Sequence, residues 1–525
     1  MIITNPQEFV NKWRGASLKE RAAAQEHFID LCRLVGHRTP AEMDPTGESF
    51  TFEAGVNKTG GGKGWADVWK KGCFGWEYKG KHANLNKAYQ QLLQYRESLQ
   101  NPPLLVVCDL DTIVIHTNFT NTIKQTVTLT LDDLLTPQGY AHLKNVFYEP
   151  NAFRATTTTE QVTQQAAEEL ARLSAMLREA GHETGHESEQ IAHFLIRVLF
   201  CLFAEDIGLL PKDLFTRLIS LAHRNMGRFS AQLAQLFGAM ATGGFFGVDD
   251  IRHFNGGLFD NEQVLTLPHE AVSTLERIAK LDWSNVEPSI LGTLFERSLN
   301  PAKRSQLGAH YTSREDILLI VEPVLMTPLR RRWVEVQAEA HKLVTRRNEA
   351  KTERTRRARQ ADLEQLLQAF SQELAAVRVL DPACGSGNFL YVALKQLLDL
   401  WKEVSVFSGE QQLTLMLPLP EVSPSPAQLF GIEINPYAYE LAQATVWIGY
   451  IQWLHENGFG LPAEPILKPL NNIHNMDAIL AYDADGNPVE PKWPEADVII
   501  GNPPFLGARK MRTELGDKYF DDLLM

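Results

Sequence analysis

From Arg378 onward, short apolar runs and helical stretches alternate: a run at Arg378–Leu380, a helical pattern over Asn388–Trp401, a run at Ala427–Ile434, a helical pattern over Ala438–Leu454, then runs at Ile473 and Asp497–Ile500. No other feature restricts the fold as tightly. Strands joined by helices lie parallel, because each helix returns the chain to the edge where the previous strand began. The predicted architecture here is a doubly wound parallel sheet, whose ligands bind at the carboxyl ends of its strands. Residues able to carry chemistry fall at those ends.

After the first run comes Asp381-Pro382-Ala383-Cys384-Gly385-Ser386-Gly387-Asn388-Phe389. Gly385 and Gly387 permit a tight turn and let a ligand approach backbone N–H groups at the start of a helix. Nucleotide, flavin and dinucleotide sites all use such turns, and the absence of a following Gly-Lys-Ser/Thr excludes a P-loop. The second run ends at Glu433, where an acid can grip a ribose diol. Glu433 stands 52 positions after Asp381, more than the usual spacing of about 20, and the excess is expected in a Pro/Gln-rich loop over Ser405–Pro426. The third ends near Asp477, which can accept a hydrogen bond from an adenine amine.

The last run closes with Gly501-Asn502-Pro503-Pro504-Phe505. The two prolines stop the strand and stiffen the turn, presenting the Asn502 amide and a backbone carbonyl at its edge. Two fixed acceptors there can hold both protons of an exocyclic amine such as adenine N6. That draws its delocalised lone pair back toward nitrogen and points it at an electrophile. Phe505 offers a flat face for an unstacked base. Taken alone, the four residues equally suit a plain strand terminator.

The chain of 525 residues has room for roughly three or four domains. Five scattered cysteines, with no CxxC pair, exclude a zinc ribbon and a secreted disulfide framework. The start has no signal-peptide pattern. The most lipid-like stretch, Ile191–Leu210, is interrupted by Arg197, Glu205 and Asp206, so it is expected as a buried helix and no membrane span is predicted. The net charge of −13 runs against a nucleic-acid partner. Between Lys342 and Arg359, however, eight Lys and Arg face two Glu, a local +6. That stretch suits an exposed solvated helix or a contact with a DNA backbone.

Patterning divides the chain into 1–150, mixed helix and strand; 151–300, mainly helical and connecting; and 301–525, the alternating region. In the first, helix is expected over Leu18–Val35 and Leu85–Ser98, with strands at Ser49–Val56, Trp65–Trp69, Phe74–Lys79, Leu104–Cys108 and Thr112–Thr117. Glu77 and Lys79 share one strand face, and a hairpin brings Asp67 alongside. Two carboxylates can hold Mg²⁺ and a lysine can orient the attacking water, as phosphodiester hydrolysis requires. Such a trio is often only a surface ion pair.

Together and in order, Asp381–Gly387, Glu433, Asp477 and Asn502–Phe505 resemble the S-adenosylmethionine-dependent DNA N6-adenine methyltransferases. Gly308-Ala309-His310-Tyr311-Thr312-Ser313 resembles the segment such enzymes place over the methionine end of the cofactor. The resemblance implies that Tyr311, Thr312, Asp381, Gly385, Glu433 and Asp477 bind cofactor, and that Asn502, Pro503 and Phe505 hold the target base. The order of elements around Asp67, Glu77 and Lys79 resembles the PD-(D/E)xK nuclease core, in which a first-helix acid, here Glu20 or Glu26, often joins the metal site. The whole layout resembles the bifunctional type IIG restriction-modification enzymes, particularly the type IIL subgroup, as does the connector at Phe194–Leu210, Phe254–Asp260 and Asp282–Arg304.

The resemblance implies a multidomain α/β protein: a nuclease core, a helical connector and a Rossmann-like methyltransferase whose sheet is incomplete at the C-terminus. It implies a cytoplasmic enzyme that methylates adenine in double-stranded DNA and, with Mg²⁺, cleaves it. Family members continue past the Asn-Pro-Pro-Phe segment with further strands and a target-recognition domain, so this chain is expected to be a fragment or to be completed by a partner chain. The alternatives are a methyltransferase with an inactive nuclease core, or a non-catalytic DNA-binding or assembly subunit.

Overall fold

The computed structural model describes the chain apart from residues 1–4, 17–19, 58–62, 82, 185–187, 255–256, 261–262, 290–291, 293–311, 412–422, 461–465, 468–470, 506–507 and 525. It is a mixed α/β protein. Its first part begins with α1 (Pro6–Arg14), α2 (Glu20–Leu34) and the short α3 (Pro40–Met43). Asn5 caps α1 by accepting from Glu8 N, and Pro6 fills the first helical turn, where no N–H is needed.

Six strands follow: β1 (Phe50–Asn57), β2 (Lys63–Lys70), β3 (Phe74–Tyr78), β4 (Leu104–Cys108), β5 (Thr112–Thr117) and β6 (Thr126–Thr130), side by side in chain order. All neighbours are antiparallel except β3 and β4. That parallel pair needs a crossover, supplied by α4 (Leu85–Tyr95). Strand alternation sends Phe74, Trp76 and Tyr78 to the face covered by α2, where Phe28 packs edge-on against Trp76. The opposite face packs Leu92 and Leu93 of α4 on Leu105 and Val107. Gly75 faces α4, as a side chain there would meet Leu99 and Leu105, and Glu77, two residues on, faces α4 too.

Helices then dominate: α5 (Pro137–Tyr148), α6 (Thr159–Thr184), α7 (Ser188–Asp206), α8 (Leu214–Ala222), α9 (Met226–Thr242) and α10 (His269–Ile278). The charges that interrupt the apolar run of α7 each have a local task. Arg197 is buried over the Phe237 ring at 4.5 Å and donates to Gln263 O at 2.6 Å. Glu205 accepts from Phe215 N at the start of α8, and Asp206 accepts from Trp283 N at 2.7 Å. Among the described residues no helix is long and apolar enough to cross a membrane. A small hairpin of β7 (Gly244–Phe246) and β8 (Asp249–Ile251) turns at Gly247.

The alternating pattern starts later than residue 301. After α11 (Arg314–Val321) and a π-turn at Glu322–Met326, two long helices, α12 (Thr327–Asn348) and α13 (Glu353–Ala376), form an antiparallel hairpin. The basic stretch Lys342–Arg359 is therefore the tip of this hairpin and not one continuous helix. Thr352 caps α13 through Thr355 N and makes the break.

The sheet follows, with β9 (Val379–Asp381), β10 (Leu429–Glu433), β11 (Ile473–Asn475) and, after a minor pair β12 (Ala481–Tyr482) and β13 (Pro488–Val489), β14 (Val498–Ile499). The strand order is β11-β10-β9-β14, and every neighbour is parallel. Order reverses beside β9, the place where parallel sheets open a ligand crevice. Helices α14 (Asn388–Glu410) and α15 (Pro436–Glu456) return the chain between strands.

The expected loop over Ser405–Pro426 is corrected at its start, because α14 continues to Glu410. Phe407 lies edge-on to Trp333 at 5.4 Å and to His341 at 5.5 Å on the hairpin, and that burial extends the helix. Residues 412–422 of that segment lie outside the described residues. Two short helices, α16 (Ala508–Leu515) and α17 (Asp517–Leu523), end the described chain.

The sheet-bearing ends of the molecule meet through α4. Gln94 Nε2 donates to Gly458 O at 2.6 Å and Arg96 Nη2 to Asn457 Oδ1 at 2.8 Å. From α14, Lys402 donates to the same Asn457 oxygen at 2.7 Å and pairs with Glu97. Burial pushes the Glu97 carboxyl up, but Lys402 and Arg96 outweigh it and hold it below its ordinary value.

Candidate functional site

The carboxyl ends of β9, β10, β11 and β14 gather residues that are far apart in the chain. Gly385 (φ 53) and Gly387 (φ 81) take the left-handed backbone that their turn requires. At Gly387 space matters as well: a Cβ would come within 3.0 Å of Ala442 Cα and O on α15, so only glycine lets the turn seat there. Asp381 is buried, and its Oδ1 accepts from Ala383 N at 3.0 Å, closing the turn on the strand that precedes it. Burial, with Glu433 nearby, pushes the Asp381 carboxyl up to about 7.

Glu433 ties the second strand to the same turn. Its Oε2 accepts from Gly385 N at 2.9 Å and its Oε1 from Asn435 N at 2.8 Å. Burial raises its pKa. A carboxylate has about four lone-pair positions, so Glu433 retains capacity for ligand hydroxyls.

Asp477, after β11, has both oxygens engaged: Oδ1 accepts from Ile479 N at 2.8 Å, and Oδ2 from the Tyr519 hydroxyl at 2.7 Å. Sequence reasoning missed Tyr519. It lies 42 residues away on α17, and no periodicity or motif marks it.

At the end of β14, Gly501 (φ 153) presses against the first strand. A Cβ on it would stand 2.5 Å from Asp381 Oδ1. Asn502 Nδ2 donates to Thr312 Oγ1 at 3.3 Å, so the last strand meets the segment upstream of α11. Asn502, Pro503 and Phe505 are exposed, Phe505 by 88%. An unsatisfied aromatic ring of that size beside two strand-end acceptors is a ready stacking surface. Tyr311 and the preceding Gly308–His310 lie outside the described residues.

The site fits a nucleoside-bearing cofactor by its donors and by its space. A side chain at Gly385 would meet nothing within 4 Å. Among the described residues, Asn388 Oδ1 in the first turn of α14 is buried without a hydrogen-bond partner, while its Nδ2 reaches Ser289 O at 3.5 Å. The site thus offers an open glycine turn, a helix N-terminus, the buried Asp381 carboxyl and the half-buried Glu433 carboxylate.

A second cluster lies in the N-terminal sheet. Tyr78 N donates to Asp67 Oδ2 at 2.6 Å across the β2–β3 hairpin. Lys79 Nζ pairs with Glu77 Oε1 at 2.8 Å, and Gln91 Nε2 on α4 donates to the same oxygen at 2.7 Å. The structure thus brings together the three residues read from sequence and adds Gln91. Glu77 is buried, and burial with the nearby Glu77 charge pushes the Tyr95 phenol up to about 12.

Opposite Asp67 the β1–β2 ladder skips a pair: Phe52 joins Val68 and Ala54 joins Ala66, with Glu53 between them at φ 49. A non-glycine residue held in that region is strained, and such strain concentrates at functional sites. Of the two first-helix acids, Glu26 is taken by Lys12 at 2.6 Å, and only the backbone of Glu20 is described. Among the described residues no group of three or more His, Cys, Asp or Glu forms a metal cage. Asp67 and Glu77 make a two-carboxylate set, which suits Mg²⁺, an ion that keeps most of its waters.

Three consecutive segments match known family models. Residues 4–180 match the N-terminal domain of MmeI, residues 189–259 its helicase spacer domain, and residues 352–519 its DNA-methyltransferase domain. In this order they support kinship with the MmeI-type proteins. DNA methyltransferase A of Bacillus subtilis (strain 168) is 28% identical over 335 residues, covering 61% of this chain and 34% of that protein. The putative type II restriction enzyme and methyltransferase RM.MjaORFECS2P of Methanocaldococcus jannaschii is 28% identical over 299 residues, 49% of this chain and 24% of that protein. A solved structure of the type IIL restriction-modification enzyme MmeI in complex with DNA aligns at 27% identity with a TM-score of 0.49, over 67% of this chain and 45% of that one. The chain spans about a third of the first relative's length and about a quarter of the second's.

Proposed function

We propose that this chain carries the cofactor site and base clamp of a DNA adenine-N6 methyltransferase of restriction-modification type, together with a Mg²⁺-dependent endonuclease domain at its N-terminus. It acts on double-stranded DNA in the cytoplasm. The observation that carries the reading is the convergence of Thr312, Asp381 and Asn502 at one strand-end edge, through the Asn502–Thr312 hydrogen bond and the seating of Gly501 on Asp381. The matches to MmeI domains and to a DNA methyltransferase support it.

Asp381, Gly385, Glu433 and Asp477, with Tyr311 and Thr312, would hold S-adenosylmethionine, which when bound supplies a methyl group on a positively charged sulfur. The glycine turn brings backbone N–H groups to the ligand, and Glu433 accepts from a ribose diol while keeping the turn closed. Asn502 Oδ1 and the Pro503 carbonyl accept hydrogen bonds from the two N–H groups of the adenine amine and orient its lone pair for in-line attack. Phe505 stacks on the base once it has left the duplex.

In the N-terminal cluster Asp67 and Glu77 would hold Mg²⁺, which supplies Lewis acidity and an acidified water. Lys79 would orient the attacking water beside the scissile phosphate. Gln91 fixes the Glu77 carboxylate through its hydrogen bond.

Incubating the full chain with duplex DNA and S-adenosylmethionine labelled on the methyl tests the reading. Label recovered in adenine supports it. Label confined to cytosine, or no binding of S-adenosylmethionine by the chain, refutes it.

A further inference from the structure

The α12–α13 hairpin presents the most concentrated positive charge in an acidic chain. Its base is fixed: Trp333 stacks on Phe370 at 5.3 Å, Arg330 pairs with Glu403 of α14, and Arg347 Nη1 donates to Gln411 O at 2.8 Å, just past the end of α14. Beyond Arg347 the hairpin leaves the body of the protein. Residues 351–358 are exposed without interruption.

The cations there are poorly neutralised. Arg356 and Arg357 share the single Glu353, both at 3.3 Å, in exposed pairs one turn apart, and such pairs contribute little. Arg346, Lys351 and Arg354 have no ion-pair partner among the described residues. A like-charged tip of this kind disfavours itself unless a polyanion meets it. Elsewhere the chain is acidic and repels DNA, so contact with a duplex requires a local surface of this sign.

Position narrows the role. Helix α14 leaves the glycine turn at Asn388 and reaches the hairpin 23 residues later, a span of about 34 Å that carries the tip to the edge of the sheet opposite the glycine turn. We propose that the tip formed by Arg346, Lys351, Arg354, Arg356 and Arg357 grips the phosphate backbone of duplex DNA, without reading sequence, at a point remote from the base being modified. The inference rests on the DNA-methyltransferase reading above. Guanidinium forks suit phosphate oxygens.

The test is the salt dependence of binding of the full chain to a random-sequence duplex of about 30 base pairs. Against wild type stand the triple charge reversal Arg346→Glu/Arg354→Glu/Arg357→Glu and the matched triple Arg→Lys variant. Each phosphate contact adds about 0.9 to the slope of log K against log salt. The reversal is expected to flatten the slope by about 2 or more and to weaken low-salt binding at least tenfold, while the lysine variant stays near wild type. An unchanged slope in the reversed protein, or a wild type that does not bind duplex at low salt, overturns the proposal. Titration of S-adenosylmethionine into the same proteins reports separately on the methyltransferase reading: equal binding in all three shows intact folds, and its absence from wild type strikes that reading while the slopes still judge the hairpin.

Discussion

Asn502 Nδ2 and Thr312 Oγ1 meet at 3.3 Å although 190 residues separate them. The contact joins the strand-end turn that presents two acceptors to the segment just ahead of α11, and Gly501 presses the same turn onto Asp381. The proposed base clamp therefore stands beside Asp381, the residue that leads into the glycine turn, at the point where strand order reverses. That adjacency is what methyl transfer requires, since donor and acceptor must be held within one van der Waals contact of each other.

The glycine turn is the first place to test. A Cβ at Gly387 would crowd Ala442 at 3.0 Å and hold φ 81 against its preference, penalties together of about 1–3 kcal/mol. Gly387→Ala is expected to weaken S-adenosylmethionine binding at least about tenfold by calorimetry. Unchanged affinity would remove the turn from the cofactor site.

Asp381 gives a pH prediction. Burial holds its folded-state pKa at about 7, above the ordinary value of about 3.9 in an unfolded chain. Between those values the folded state binds the extra proton, so this group makes the protein less stable as pH rises from about 4 to about 7 and contributes nothing below that window. Asp381→Asn keeps an acceptor for Ala383 N and removes the titration. Its melting temperature should gain on wild type between about pH 5 and about pH 8. Asp206, also pushed up to about 7 by burial, titrates in both proteins and cancels. A constant difference across that range would contradict the buried-acid account.

In the N-terminal cluster, Lys79→Ala or Asp67→Ala should lower Mg²⁺-dependent cleavage of unmodified DNA by about 10²-fold or more, while methyl transfer is retained. Glu26→Ala should leave cleavage near wild type, because Glu26 is engaged with Lys12. Equal cutting by wild type and both site variants would reject this cluster as a nuclease site.

The junction between α4 and α14 depends on Lys402, whose ammonium serves Glu97 and Asn457 together. Lys402→Met preserves the stem and removes the charge, and leaves the Arg96–Glu97 pair in place. The expected cost is about 1–3 kcal/mol, read as faster amide exchange in α4 and at Asn457 and Gly458. No change in exchange would show that the junction is held by other contacts.

Much of this was legible in the residues. The strands at Leu104–Cys108 and Thr112–Thr117 and the parallel order around Asp381, Glu433 and Val498 follow from short apolar runs punctuated by glycine and proline, which are local signals. What escaped is tertiary. The extension of α14 past Trp401 depends on burying Phe407 against Trp333, and the stretch Lys342–Arg359 splits into two helices because Thr352 caps a new one. Tyr519 on Asp477 and Lys402 on Glu97 join segments with no shared pattern, and the strained Glu53 is set by the ladder opposite Asp67. Asn502, Pro503 and Phe505 stood out as residue types, whereas the adjacency of Asn502 to Thr312 did not.

The most direct measurement is N6-methyladenine in duplex DNA, quantified by mass spectrometry after incubation of the full chain and its Asn502→Ala variant with S-adenosylmethionine. The account predicts N6-methyladenine with wild type and a loss of about 10²-fold or more in the variant, at equal S-adenosylmethionine affinity. Equal N6-methyladenine from both proteins, or methyl groups found only on cytosine, would contradict it.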